Sequence, residues 1–380
     1  MSKERLPSID FMRGMIMAIM ALDHVRDFFH SDALIYSPTD LTKTYPLLFF
    51  TRIITHFCAP GFVLLAGISA SIWGRDRPRR DLFFFLLTRG FWLILCDAIF
   101  ISPVWTLEFG RFSLGALWAI GGSMITLSFL IFFEARVVLS IGLVIIFGHN
   151  LLDGVEASNL GPWGDFWHIL HEQGALPFGL NGAVYYPILP WIGIIAFGYG
   201  VGVYFFNKNQ DNHKGLTFLG LSFWLLFILL RFINIYGDPN PWHAQSREVM
   251  TILSFFNVSK YPPSLLYCLF TLGPMMLILA FCKNIKGSLA QKIIIFGRVP
   301  FLFYLLHLYV GITGAIALAY FHGYDFSNFQ REAIKNHPPE GLSLVGCYIV
   351  WIIELGLLYP ICTWFSDLKK RNRQAWLRYL

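Results

Sequence analysis

Residues 9–29 read "IDFMRGMIMAIMALDHVRDFF". An unbroken apolar run, Met15 to Leu22, lies between Asp10 and Arg13 on one side and Asp23, His24, Arg26 and Asp27 on the other. As a helix rising 1.5 Å per residue, the stretch is about 30 Å long, the thickness of a bilayer's hydrocarbon core. An apolar middle with ionisable ends is how a membrane-crossing helix is written, and a strand would alternate instead. The stretch lacks the small-residue cleavage site of a secretory signal and runs straight into charged residues, so it is expected to be retained.

The rest of the chain follows this pattern. Of 380 residues, 56% are hydrophobic and only 14% charged, with 38 Phe, a composition that excludes an ordinary soluble domain. Apolar runs predict spans at about 9–29, 47–73, 82–103, 112–133, 137–153, 184–206, 215–236, 263–282, 293–320 and 343–365. The expected fold is therefore all-α: a polytopic integral membrane bundle of about ten transmembrane helices, forming one domain over residues 1–380. No internal repeat or low-complexity tract is visible. The net charge of +6 carries no basic nucleic-acid signature, so no nucleic-acid partner is expected.

An even number of spans puts both termini on one side. Connectors on that side hold Lys3, Arg5, Arg75, Arg77, Arg79, Arg80, Arg136, Lys208, Lys214, Lys283, Lys286 and Lys292, and the tail adds Lys369, Lys370, Arg371, Arg373 and Arg378. The opposite side has only Lys43, Arg52, Arg111, Arg247, Lys260, Arg331 and Lys335 on longer connectors, so both termini are predicted to be cytoplasmic. Long outer loops at about 154–183, 237–262 and 321–342 are where function is expected. All six cysteines fall in apolar runs without C-x-x-C spacing, and no histidine pair sits at i, i+4, so neither a disulfide framework nor a metal site is expected.

Ionisable groups inside spans are costly unless paired or hydrated, which makes them candidates for function. His24 shares a helix stripe with Asp27 and adjoins Asp23; a carboxylate that fixes an imidazole's tautomer makes a general base. His56 lies in "FFTRIITHFCAPGFVLLAGIS", one turn from Arg52, and His307 lies near mid-membrane in "GRVPFLFYLLHLYV" with Tyr304 one turn earlier. The three histidines are expected to line one cavity. Asp10, Arg13, Arg89 and Arg298 cluster at the inner boundary. Trp191, Asp238 and Trp242 sit at outer helix ends, where aromatic rings form interfacial belts and, beside carboxylates, grip sugars.

The chain resembles the transmembrane acyltransferases related to lysosomal heparan-alpha-glucosaminide N-acetyltransferase, and within them a bacterial branch. The resemblance is carried by "SIDFMRG", "MALDHVRDFF", "TRIITHFCAPGFVLLAGIS", "LLTRGFWLIL", "YPILPWIGIIAFGYGVG", "YGDPNPW", "KYPPSLLY" and "GRVPFLFYLLH", which together cover essentially the whole chain. It implies a bundle that takes acetyl-CoA from the cytoplasm and delivers the acetyl group to a sugar amine on the far side. Asp10, Arg13 and Gly14 match the lysosomal enzyme's D-x-x-R-G motif. That enzyme has asparagine where this chain has His24, and its catalytic histidine falls in a stretch that holds no histidine here, so that role does not carry over.

The expected function is acyl transfer from acetyl-CoA to an amine or hydroxyl of an extracytoplasmic sugar or glycan, in a bacterial inner membrane. His24 would act as the base, held by Asp23 or Asp27, with His56 as carbonyl polariser or acylated relay and His307 beside them. Asp10, Arg13, Arg89, Arg298 and Tyr304 would bind the cofactor, and Trp191, Asp238 and Trp242 the acceptor. Membrane lipid and the glycan are the expected partners, with a homodimer allowed. The rival reading is a proton-coupled transporter of a small anion or lipid-linked sugar, using the same histidines as proton carriers.

Overall fold

The computed structural model describes residues 6–33, 35–206, 212–282, 285–324, 340–372 and 374. Helices coincide with every predicted span. They are α1 (Pro7–Phe29), α2 (Pro46–Thr55), α3 (Cys58–Gly74), α4 (Arg79–Cys96), α5 (Ser102–Thr106), α6 (Ala116–Leu130), α7 (Ala135–Gly148), α8 (Gly164–Leu170), α9 (Leu189–Phe205), α10 (His213–Ile233), α11 (Glu248–Phe256), α12 (Leu265–Phe281), α13 (Ser288–Arg298), α14 (Pro300–Phe321) and α15 (Leu344–Arg371). Among the described residues, six helical segments are long and apolar enough to cross a membrane, and three shorter apolar helices, α6, α9 and α12, join them. The protein is an integral membrane protein of mostly helical structure.

Burial separates centre from periphery. In its most apolar window the α2–α3 segment is 72% buried, whereas α15 is only 22% buried. α3 packs chiefly on α9, α4 on α6, α7 on α9 and α10 on α12, while α15 turns Ile349, Ile352, Ile353 and Leu357 outward. A helix apolar all round belongs in a core or in lipid, and these two helices illustrate each case.

Four local departures from the predicted spans have physical causes. The stretch 293–320 is not one helix: Pro300 has no N–H to donate and disfavours helical geometry at Val299, which adopts φ −130° and ψ 49°. The stretch 47–73 is two helices that meet at His56 and Phe57. Residues 112–114 form strand β1, which pairs in parallel with β3 (Gly182–Val184); β2 (Gly174–Ala175) pairs antiparallel on its other edge. Finally, α4 widens into a π-helical turn at Asp97–Ile101, and Asp97 Oδ2 accepts from the amides of Gly115 (2.9 Å) and Trp118 (3.0 Å), satisfying donors at the start of α6.

The predicted outer loop at 321–342 lies largely outside the described residues, as do Lys3, Arg5, Lys208, Lys283, Arg331, Lys335, Arg373 and Arg378. The other two predicted outer loops contain α8, α11, β2 and the start of β3.

One close approach positions the functional end of the bundle. A Cβ on Gly14 would stand 2.0 Å from the carbonyl oxygen of Ile293, and one on Gly297 would stand 1.9 Å from that of Asp10. Only two glycines let α1 and α13 touch backbone to backbone. The glycine that ends "SIDFMRG" is therefore a packing residue, and its contact sets Arg298 beside Asp10 and Arg13.

Candidate active site

A cavity of about 340 Å³ opens between α1, α3, α4, α6, α14 and the end of α15. On α1 it is lined by Arg13, Met17, Met20, Asp23 and His24, a run of about 16 Å along the helix. Arg13, Arg89, Arg298 and Lys369 supply four cationic side chains to its lining, and Asp23, His24, Tyr186 and Lys260 line it as well. Phe62, Phe85, Leu86, Leu93 and Phe301 make the wall between them apolar.

Arg13 is oriented by three acceptors: Asp10 Oδ1 at 3.4 Å, the Gly297 carbonyl at 3.2 Å and Ser69 Oγ at 3.1 Å. Arg298 Nε lies 4.0 Å from Asp10 Oδ2, so one carboxylate faces two guanidinium groups. Asp10 does not line the cavity; it aims the arginines that do. Arg89 lies over the ring of Phe85, and Tyr304 reaches the cavity from the first turns of α14.

Toward the other end of α1, His24 Nδ1 lies 2.7 Å from His307 Nε2, and His307 Nδ1 lies 2.9 Å from the Phe303 carbonyl. A carbonyl only accepts, so His307 carries its proton on Nδ1 and offers a lone pair on Nε2. His24 must then donate from Nδ1, which leaves the lone pair of its own Nε2 free. The chain of bonds selects the tautomer a general base needs, on a side chain that lines the cavity. Trp105 meets the His24 ring edge-on at 5.1 Å and limits its rotation.

Asp23 and Asp27 do not hold His24 as expected. Asp23 accepts from Arg26 Nη2 at 2.7 Å and from Arg52 Nη1 at 2.6 Å, and Asp27 accepts from Arg26 Nη2 at 2.7 Å. A buried guanidinium outbids a neutral imidazole for a carboxylate, because both partners are charged. Arg26 and Asp23 are 2% and 6% exposed, so the centre of the network is buried, with Asp27 at its rim.

His56 is brought neither to the cavity nor to the other histidines. Its Nδ1 donates to the Arg52 carbonyl at 2.8 Å, and its own carbonyl accepts from Tyr267 Oη at 2.6 Å. This is a core histidine at the junction of α2 and α3.

The three acceptor candidates also lie away from the cavity lining. Trp191 is buried in the core beside Tyr186. Asp238 spends its carboxylate within its loop, on the amides of Ser259 and Asn240 and the hydroxyl of Ser264. Trp242 donates to the Arg231 carbonyl at 2.7 Å, and Asn234 bonds its backbone from both sides.

Lys260, Tyr186 and Lys369 belong to the cavity and carry no sequence signal beyond charge and aromaticity. The Tyr186 hydroxyl lies 3.3 Å from that of Tyr261 on the loop before α12. Burial raises the Tyr261 pKa, but the charges of Lys260 and Arg52 outweigh it and hold the hydroxyl below the ordinary tyrosine value.

The sequence profile of the heparan-alpha-glucosaminide N-acetyltransferase catalytic domain matches residues 5–233. A comparison with curated proteins finds no match. The matched segment supplies Arg13, Asp23, His24, Arg89 and Tyr186 to the cavity; Lys260, Arg298, Tyr304 and Lys369, and the His307 that backs His24, come from beyond it. With more than half of its length matched, the chain belongs to the heparan-alpha-glucosaminide N-acetyltransferase catalytic family, a family of membrane acetyltransferases.

Proposed function

We propose that this membrane transferase moves an acetyl or similar acyl group from cytoplasmic acyl-CoA to an amine or hydroxyl of an extracytoplasmic sugar or glycan. In this reading about ten helices cross a bacterial inner membrane with both termini in the cytoplasm, and the arginine-lined end of the cavity faces inward. One observation carries the reading: a single cavity joins a cluster of cations to a histidine whose base lone pair is free.

Arg13, Arg89, Arg298 and Lys369 suit the phosphates of CoA, since guanidinium forks match phosphate oxygens. The apolar wall accepts the pantetheine arm, and a cavity of about 340 Å³ is sized for that arm and the acceptor's reacting group, not for a whole nucleotide. The acceptor's nitrogen or oxygen attacks the thioester carbonyl as His24 Nε2 takes its proton. Collapse breaks the carbon–sulfur bond, and the proton on Nε2 passes to the departing thiolate. The imidazolium formed in between is stabilised through Nδ1–H by His307, which the Phe303 carbonyl holds in register. His56 sits outside the cavity and so takes no part as an acylated relay; in this reading transfer is direct.

His24→Ala tests this. A general base contributes about 10² to 10⁴ in rate, so turnover of acetyl-CoA with an amino-sugar acceptor is expected to fall by that range while acetyl-CoA affinity holds. Turnover near the wild-type value rules out His24 as the base. Wild-type protein that never consumes acetyl-CoA under any acceptor favours the transporter reading instead.

A further inference from the structure

Away from the cavity, where α7 ends, three ligating side chains converge. His149, Asp153 and His171 each offer one ligand atom, and these atoms lie within 4.8 Å of one another. His149 is 2% exposed, and neither of its ring nitrogens has a hydrogen-bond partner among the described residues. Buried polar groups are ordinarily paired, so a buried imidazole with two idle nitrogens points to an occupant.

The neighbours are already arranged around such an occupant. Asn150 donates to Asp153 Oδ2 at 2.8 Å, which leaves Oδ1 facing the cluster, 3.7 Å from His171 Nε2. His171 is 3% exposed, stacks on Trp167 with ring centroids 5.3 Å apart, and lies 2.8 Å from the His149 carbonyl. The nitrogen on that carbonyl is Nε2, the same one that faces Asp153, so ligation through Nε2 replaces the carbonyl contact when the ion loads. Asn150 Oδ1 accepts from the Leu265 amide at 2.8 Å, which ties the cluster to the start of α12. None of the three residues lines the cavity.

We infer that His149, Asp153 and His171 bind one divalent transition-metal ion of the zinc class. Two imidazoles and one carboxylate are donors for zinc and its neighbours, whereas calcium and magnesium require oxygen donors throughout. Bonds of 2.0–2.2 Å in a tetrahedron set donor separations near about 3.4 Å, so the cluster tightens on loading. Asp153, whose side chain is a quarter exposed, has room to move inward. Water fills the fourth position.

The role is structural. The ion fastens α8 and its loop to the end of α7, and the Ile169 carbonyl in α8 accepts from the Ile188 amide at 2.8 Å, at the entrance of α9 and two residues beyond Tyr186. The sequence hides this site because the two histidines are 22 residues apart with only the carboxylate at helical spacing.

The test uses full-length protein in detergent, stripped with a chelator and titrated with Zn²⁺ by calorimetry. One site is expected, together with a higher unfolding temperature on loading. The His149→Ala/His171→Ala double variant is expected to lose affinity by about tenfold or more, given that even outer partners of a ligand contribute about 10- to 100-fold. Equal binding by wild type and variant, or none by either, overturns the proposal. Should the variant fail to fold, Co²⁺ added to the stripped wild type decides. An intense four-coordinate visible spectrum that Zn²⁺ abolishes supports the site, and a pale six-coordinate spectrum or none overturns it.

Discussion

α1 carries the same spacing twice, Asp10 with Arg13 near its start and Asp23 with Arg26 near its end, and the two pairs are built differently. The first is loose: 3.4 Å within the pair, 4.0 Å to Arg298, with side chains 13–28% exposed. The second is tighter and has a buried centre: three contacts of 2.6–2.7 Å join Asp23, Asp27, Arg26 and Arg52, and the Arg26 and Asp23 side chains are 2% and 8% exposed while Asp27, at 33%, reaches solvent. An Asp-x-x-Arg spacing thus fixes only that two charges share a helix face. What the pair does is decided by the cations that other elements bring. At the first pair two arginines share one carboxylate, which leaves surplus positive charge; at the second, two carboxylates balance two arginines.

If that contrast is right, the second pair is structural and its loss is costly. Asp23→Asn would leave Arg26 and Arg52 buried against a neutral amide, and breaking a buried ion pair in this way costs about 3–5 kcal/mol. We expect a large drop in the unfolding temperature in detergent. A variant as stable as wild type would mean that the network is hydrated and that both ends of α1 are receptor-like.

The same contrast accounts for what was legible in the sequence. The helices were, because long apolar runs fold as helices in lipid, and each predicted span landed on helical structure; among the described residues six of the segments are long and apolar enough to cross a membrane. The break at Val299 carried its sign in Pro300. The convergence of Arg13, Arg89 and Arg298 on one cavity was legible too, since all three fall at the same end of their predicted spans. The partner of His24 was not. The nearest carboxylates in sequence are its neighbours on α1, but Arg52 and Arg26 claim them, and the true partner, His307, is 283 residues away. Lys260 and Tyr186 are loop residues with no periodicity to mark them.

The next test is at the first pair. Arg298→Ala removes one of the cations that Asp10 orients, and a charge-assisted contact to phosphate contributes about 1.5–3 kcal/mol. Acetyl-CoA binding is expected to weaken by about tenfold to a hundredfold, with little change in unfolding temperature. Unchanged binding by calorimetry would make Arg298 a topological anchor only, and would move the phosphate site toward Arg89 and Lys369.

The smallest effect is expected at Asp10, and it separates the two ends of α1 most sharply. Asp10→Asn is chemically the same change as Asp23→Asn, made at the same spacing on the same helix. Here the released arginines stand at a partly exposed boundary where water replaces the lost partner, so the stability cost should be about 0–1 kcal/mol. Binding should shift little as well, because two effects oppose each other: the arginines lose a partner that aims them, while the incoming phosphates lose a competing negative charge. A shift in the unfolding temperature as large as that of Asp23→Asn would show that burial does not distinguish the pairs. The close contact of Gly14 with α13 would then be the feature that makes both ends rigid.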